Sequence, residues 1–173
     1  MKKVEFYLNV FHYCIYKWHF RLHLLANKIN PFRLIHKLPF QKKRYEKLGI
    51  DIDREVDKIF SDERFGISSA VSVSVLIIFL FFLLLAITNG ARLILRYNRS
   101  DTSLYYYLLL GSIAVFITYI FVLKKDQYLF YFQSFKRWSR SQKTRYHVMT
   151  LLVLSTIGFM YILTLYLKIK FVN

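Results

Sequence analysis

The stretch Val75–Ile87, which reads VLIIFLFFLLLAI, contains only apolar residues and decides the class of fold. It lies at the centre of residues 67–89, a longer segment without a single charged side chain. An α-helix rises about 1.5 Å per residue, so roughly 20 residues cross a hydrocarbon core of about 30 Å. The segment therefore predicts a transmembrane helix.

Two further uncharged segments, residues 104–123 and 148–167, are long enough to do the same. A buried helix in a soluble protein could explain one such segment, but three in 173 residues favour membrane spans. The chain is 55% hydrophobic although its formal net charge is +16, and a soluble domain of this size could not hide so much apolar surface. We therefore expect an all-α integral membrane protein with three transmembrane helices.

The distribution of Lys and Arg predicts the orientation of these spans. Residues 1–66 carry fourteen and the loop 124–147 carries seven, whereas the loop between the first two spans carries three. Basic loops stay on the cytoplasmic side, so the N-terminus should be cytoplasmic and the C-terminus outside. The predicted regions are a cytoplasmic helical region at 1–66, a transmembrane region at 67–168 and a short tail at 169–173. A bacterial inner (plasma) membrane is the expected location.

The first 25 residues mix polar and apolar side chains, which is untypical of a cleavable signal peptide and typical of an amphipathic helix. Apolar residues recur there at alternating steps of four and three, which places them on one helical face. This stripe consists of Val4, Leu8, Phe11, Ile15, Trp18, Leu22 and Leu25. It could lie in the membrane interface or pack against a partner helix or a second copy, and periodicity leaves both interpretations open.

Aromatic residues with similar spacing follow the second span, and they form one stripe if the helix continues past Lys124. They are Tyr128, Tyr131, Phe132, Phe135 and Trp138. We expect a second amphipathic cytoplasmic helix here, lying along the interface or docking a partner protein. The candidate residues for docking to a partner or to the membrane are Phe11, Ile15, Trp18, Leu22, Tyr131, Phe135 and Trp138.

Short helices are predicted between the N-terminal helix and the first span. Residues 41–48, QKKRYEKL, can form one helix, and Gly49 is a plausible C-terminal cap. Asp51 or Asp53 can then cap the next helix, because a short carboxylate accepts hydrogen bonds from amides of the first turn.

Small residues within the spans are candidate sites of close helix packing. They are Ser68, Ser72 and Ser74 in the first span, Gly111 in the second and Gly158 in the third. Small side chains let helices approach closely, and hydroxyl groups can form hydrogen bonds across the contact. Packing within the monomer is the favoured interpretation, and oligomerisation or a serine-lined pore is the alternative.

The sequence gives little sign of catalysis, since the spans contain no Asp, Glu, Lys, Arg or His. Ionisable groups inside a membrane mark proton or ion pathways. His12, His19 and His23 share a helical face but lack a carboxylate placed to complete a metal site. Residues 51–62 fail as a calcium loop because Val56 and Asp62 replace the required Gly and Glu. We expect no catalytic residue, no bound metal and no cofactor.

These features favour a non-enzymatic multi-pass subunit or anchor of a larger membrane protein assembly. A small oligomeric pore-forming or toxin-immunity protein is the alternative, and an enzyme completed by a partner is a third interpretation. The expected partners are membrane lipids, including anionic headgroups, and other membrane subunits or further copies of the chain. Nucleic acid is not expected, because the basic residues lie in membrane-adjacent segments. The motif Asn98–Arg99–Ser100 matches a glycosylation acceptor, a pattern that is common by chance.

The predicted orientation can be tested with single cysteines placed at Ser100 and Ser141 in a Cys14→Ser background. An impermeant thiol reagent applied to intact cells should label the cysteine at position 100 and spare the one at position 141. The reverse pattern would invert the orientation, and labelling after membrane permeabilisation is the control for reactivity of both sites.

Overall fold

The computed structural model describes residues 2–31, 35–36, 38–95 and 103–172, and this part of the chain is helical, without a β-strand. We number its α-helices in chain order. They are α1 (Lys2–Ile29), α2 (Pro39–Leu48), α3 (Ile52–Ser61), α4 (Ile67–Ile94), α5 (Leu104–Thr118), α6 (Gln127–Lys136) and α7 (Arg140–Val172). The motif at Asn98–Ser100 lies outside the described residues.

Three helical stretches are long and apolar enough to cross a membrane, so the three predicted long apolar helices are present. They cover Ile67–Arg92, Leu104–Lys136 and Arg140–Leu167, with mean hydropathies of 3.1, 2.1 and 2.1 in their most apolar windows. The first and third are single helices, α4 and α7, which extend beyond the uncharged segments. The chain is therefore an all-helical protein with three helices of transmembrane length.

The second stretch is interrupted between α5 and α6, where the sequence analysis allowed for one continuous helix. A π-helical turn covers Tyr119–Leu123, and a 3₁₀ turn covers Lys124–Asp126. Lys125 and Asp126 have φ angles of 57° and 53°, in the left-handed region that residues with a side chain rarely adopt. Two consecutive residues in this conformation end the helical path, so α6 begins as a separate helix.

The caps of the short helices agree with the sequence. Gly49 follows α2 with a φ of 64°, and its amide donates to the carbonyl of Glu46. The left-handed conformation costs glycine little because it has no Cβ. The Asp51 side chain accepts a hydrogen bond from the amide of Arg54 at 3.2 Å and so caps the start of α3. Both predicted caps are confirmed.

The chain divides into two compact units, each with its own packing. Unit 1 comprises Met1–Cys14 and Val73–Asn173, and unit 2 comprises Ile15–Ser72. The boundaries between the units lie within α1 and α4, because these two long helices each contribute to both units. The core of unit 1 includes the fully buried side chains of Val10, Leu76 and Phe132.

Gly66 joins α3 to α4 in unit 2 and has no room for a side chain. A Cβ added there would lie 2.8 Å from the Ile59 carbonyl oxygen and closer still to that of Asp62. The amide of Gly66 also donates to the Asp62 carbonyl at 3.1 Å, so the two backbone segments cannot easily separate.

We expect Gly66→Ala to lower the free energy of unfolding by about 1–3 kcal/mol, because the backbone must shift to admit the methyl group. Gly90→Ala is the matched control, since a Cβ at that helical position meets nothing within 4 Å. Thermal unfolding in detergent, followed by circular dichroism, measures both. Equal stability of the two variants would contradict the tight packing at Gly66.

Candidate docking and polar sites

The central part of α1 is buried on all sides rather than along one stripe. Every residue from Asn9 to Tyr16 is buried. Among the candidate docking residues, Phe11 and Ile15 are 5% and 7% exposed, whereas Leu22 is 62% exposed. Trp18 is partly exposed. The predicted stripe is thus accessible near the C-terminal end of α1 and covered at its centre.

In unit 1 the buried side of α6 packs against the first half of α1. The ring of His12 lies 5.3 Å from that of Tyr128 and 5.0 Å from that of Phe132, measured between centroids. Tyr13 packs edge-on against Phe132 and Phe135 at 5.1 and 5.5 Å. The aromatic stripe predicted from the sequence therefore contacts another helix of the same chain.

The other candidate docking residues of this region belong to an aromatic cluster around Phe6. Its ring is 6.3 Å from that of Tyr131 and 5.6 Å from that of Phe135. Trp138 stacks on Phe135 at 4.1 Å and on Tyr146 at 4.3 Å. Phe135 is only 1% exposed, so it offers almost no area to a partner.

Phe130 is the accessible aromatic residue of α6, with 74% of its surface exposed. Phe130 falls outside the three-and-four spacing of the stripe, so the sequence pattern does not mark it. A lone aromatic residue opposite an apolar stripe is the signal that could have found it.

Asn9 is a fully buried polar residue in unit 1, and it contacts the irregular turn after α5. Its side-chain amide donates to the Glu5 carbonyl at 2.8 Å and to the Phe121 carbonyl at 2.9 Å. Phe121 lies in the π-helical turn, where the regular spacing of backbone hydrogen bonds is altered. Asn9 of α1 therefore donates to a carbonyl in the irregular turn that follows α5.

A further polar contact lies one turn earlier, where the Tyr131 hydroxyl donates to the Glu5 carboxylate at 3.0 Å. Glu5, Asn9 and His12 follow one another at steps of four and three, so they share one face of α1. Asn9 and His12 are 0% exposed, and α6 covers this side of α1 at His12. The polar face is part of the packing of unit 1.

Cys14, the only cysteine in the sequence, is buried. Burial raises the pKa of its thiol to about 11, and a hydrogen bond with Thr150 offsets this only in part. The thiolate is the reactive form of cysteine, and it is scarce at neutral pH when the pKa is this high. Cys14 therefore acts as a small core residue.

In unit 2 a polar cluster connects α1 to α3. His23 Nε2 lies 3.0 Å from an Asp57 carboxylate oxygen, and the Asn27 amide lies 3.3 Å from the same oxygen. The His23 ring also stacks on Phe60 with centroids 3.6 Å apart. Stacking and hydrogen bonding together fix the orientation of this imidazole.

His19 occupies the preceding turn of α1, with its Nδ1 atom 3.0 Å from the Ser68 hydroxyl oxygen. Burial, and secondarily the neighbouring His23, lower the pKa of His19 and so favour its neutral form. Among the described residues there is no group of three or more His, Cys, Asp and Glu side chains placed to hold a metal. The geometry makes this cluster a connection between α1, α3 and the start of α4.

The small residues of the spans fall into two groups. Ser68 and Ser72 are fully buried, whereas Ser74 is exposed. A Cβ added at Gly111 or Gly158 would meet nothing within 4 Å. Packing within the monomer therefore fits the first two serines, while neither glycine lies against another part of the described chain.

Comparisons with known protein families, with curated proteins and with solved structures found no match for this chain. Its function has to be argued from its own residues and from what their packing leaves accessible.

We expect Asn9→Leu to lower the free energy of unfolding by about 1–3 kcal/mol, because the Phe121 carbonyl would lose a buried donor. Asn27→Leu on the same helix is the matched control, since Asn27 is partly exposed and water can replace its contact with Asp57. Thermal unfolding of both variants in detergent tests this difference. An equal loss of stability would argue against a special role for the Asn9 contact.

Proposed function

We propose that this chain is a non-enzymatic multi-pass subunit or anchor of a larger membrane protein assembly. The supporting observation is the accessibility of its long apolar helices. In the most apolar window of each, only 33%, 22% and 11% of the residues are buried inside the chain, in chain order. Apolar area of this extent needs lipid or other apolar helices around it.

The third of these helices, α7, supports a protein partner in particular. Leu151 and Ile162 are 56% and 65% exposed, and they flank Gly158 on the same side of the helix. A glycine between larger apolar residues forms a shallow notch into which another helix can pack. Because nothing in the described chain lies within 4 Å of a Cβ at this position, a second protein could occupy the notch.

The pore interpretation receives less support from the exposed hydroxyl groups. Ser112 donates to the Leu108 carbonyl and Thr156 to the Leu152 carbonyl, each at 2.8 Å and each within its own helix. Hydroxyl groups used in this way add little polarity to a helix surface. These faces suit lipid or helix packing better than a column of water.

The groups that could carry catalysis are used in packing, which supports the non-enzymatic proposal. The thiol of Cys14 is buried with a raised pKa, and His23 and Asp57 bind each other. The proposed setting is a bacterial inner membrane with a cytoplasmic N-terminus and an external C-terminus, as the distribution of basic residues favours.

We expect Gly158→Leu to leave the chain folded and inserted but to reduce the amount of partner protein that co-purifies in native-lipid discs. The added side chain fills the notch without meeting any described residue. Val153→Phe adds bulk to another side of α7, where Val153 is 38% exposed, and serves as the control. The measurement is the ratio of partner to chain by quantitative mass spectrometry.

Two outcomes would contradict this proposal. An unchanged set and ratio of partners in Gly158→Leu would remove this face of α7 from the assembly. Ion conductance by homo-oligomers of the purified chain, reconstituted alone, would favour the pore instead.

A further inference from the structure

The helix α2 lies in unit 2 and buries none of its residues. Its apolar side chains are therefore largely accessible, with Phe40 75% and Leu48 60% exposed. Leu38, immediately before the helix, is 53% exposed. Single exposed apolar residues are common in proteins, so the meaning of these depends on the charged residues beside them.

The exposed apolar residues and three basic residues share one face of α2. Successive residues turn by about 100° around a helix axis, which places Phe40, Lys43, Arg44, Lys47 and Leu48 within roughly 140°. All three basic side chains are exposed. On this face, the Phe40 face, Phe40 lies between Lys47 and Arg44, while Lys43 and Leu48 lie at its two edges. Apolar and basic side chains therefore alternate across it.

The opposite side of α2 carries polar contacts. Lys42 and Glu46 form an exposed ion pair within the helix at 3.8 Å, and the Tyr45 hydroxyl lies 3.4 Å from His36 Nδ1. Glu46 is the only acidic residue of the helix, and it points away from the Phe40 face. The positive charge on that face is therefore not neutralised by a carboxylate of the same helix.

We propose that α2 lies flat on the cytoplasmic leaflet, with Phe40 and Leu48 among the upper acyl chains and Lys43, Arg44 and Lys47 against anionic phospholipid headgroups. Lys and Arg side chains can lay their aliphatic stems beside apolar groups while their charged ends reach anionic headgroups. This inference rests on the proposed membrane insertion and orientation of the chain.

The position of unit 2 along the chain supports a lipid surface as the occupant. Unit 2 includes residues 67–72, the first turns of α4, which is the first helix of transmembrane length. Residues 49–66 are all that separate α2 from that helix. In the proposed topology, residues 67–72 enter the leaflet, so the part of unit 2 just before them lies near the leaflet surface. The basic side chains of α2 there complement anionic headgroups.

The test uses the full-length chain with Cys14→Ser, reconstituted in nanodiscs of phosphatidylcholine with or without phosphatidylglycerol. An environment-sensitive fluorophore is attached to a cysteine at Leu48 or, as the opposite-face control, at Glu46. We expect lipid-borne quenchers to quench the probe at position 48 strongly in discs with phosphatidylglycerol, and less at high salt or in phosphatidylcholine alone. The probe at position 46 should be quenched weakly in every disc.

Removing the three basic side chains of the Phe40 face tests whether their charge is needed, and a second triple variant serves as the matched control. The triple variant Lys43→Gln, Arg44→Gln and Lys47→Gln should reduce the quenching at position 48 to the level seen in phosphatidylcholine. A control triple, Lys42→Gln, Arg54→Gln and Lys58→Gln, removes the same charge elsewhere in unit 2 and should leave it unchanged. Equal effects of the two variants, or quenching that is independent of lipid charge, would overturn the proposal.

The outcomes also separate this inference from the proposed function. Shielding of position 48 only when a partner protein co-purifies would overturn the lipid proposal and leave the subunit proposal standing. Failure of the chain to incorporate into discs would contradict both. Lipid-dependent quenching together with no partner at α7 would support the surface helix and contradict the subunit assignment.

Discussion

A polypeptide in hydrocarbon must satisfy its backbone hydrogen bonds internally, because lipid tails offer neither donors nor acceptors. Continuous α-helices such as α4 and α7 meet this constraint without help from the rest of the chain. The path from α5 to α6 is less regular, because it passes through a π-helical turn and two residues with positive φ. The arrangement of unit 1 depends on how that irregular path is stabilised.

The first half of α1 supplies this stabilisation. Asn9 donates to the Phe121 carbonyl, and the aromatic side of α6 packs over His12 and Tyr13. Burial of an amide costs free energy unless it is hydrogen-bonded, and the Phe121 carbonyl is one of two acceptors for the Asn9 amide nitrogen, the other being the Glu5 carbonyl. The contact therefore connects α1 to the irregular turn.

The packing of α1 against α6 also determines which surfaces of the chain stay accessible. The buried aromatic residues of α6 and the first half of α1 cover each other, whereas Phe130 is exposed. The apolar faces of α7 and the Phe40 face of α2 also remain accessible. These two surfaces differ in chemistry, since α7 is apolar with a glycine notch and α2 combines apolar and cationic side chains. The proposed partner helix and the proposed lipid surface follow from this difference.

The sequence by itself determined the class of protein and several local features. Three uncharged runs of sufficient length predict three long apolar helices, and Gly49 and Asp51 predict caps, because each depends only on neighbouring residues. Only the tertiary structure decided that Asn9 and His12 are buried and that Phe135 faces α1. A periodic pattern shows which side of a helix is apolar, but it does not show what covers that side. The left-handed backbone at Lys125 and Asp126 is likewise seen only in the structure, since neither residue type requires it.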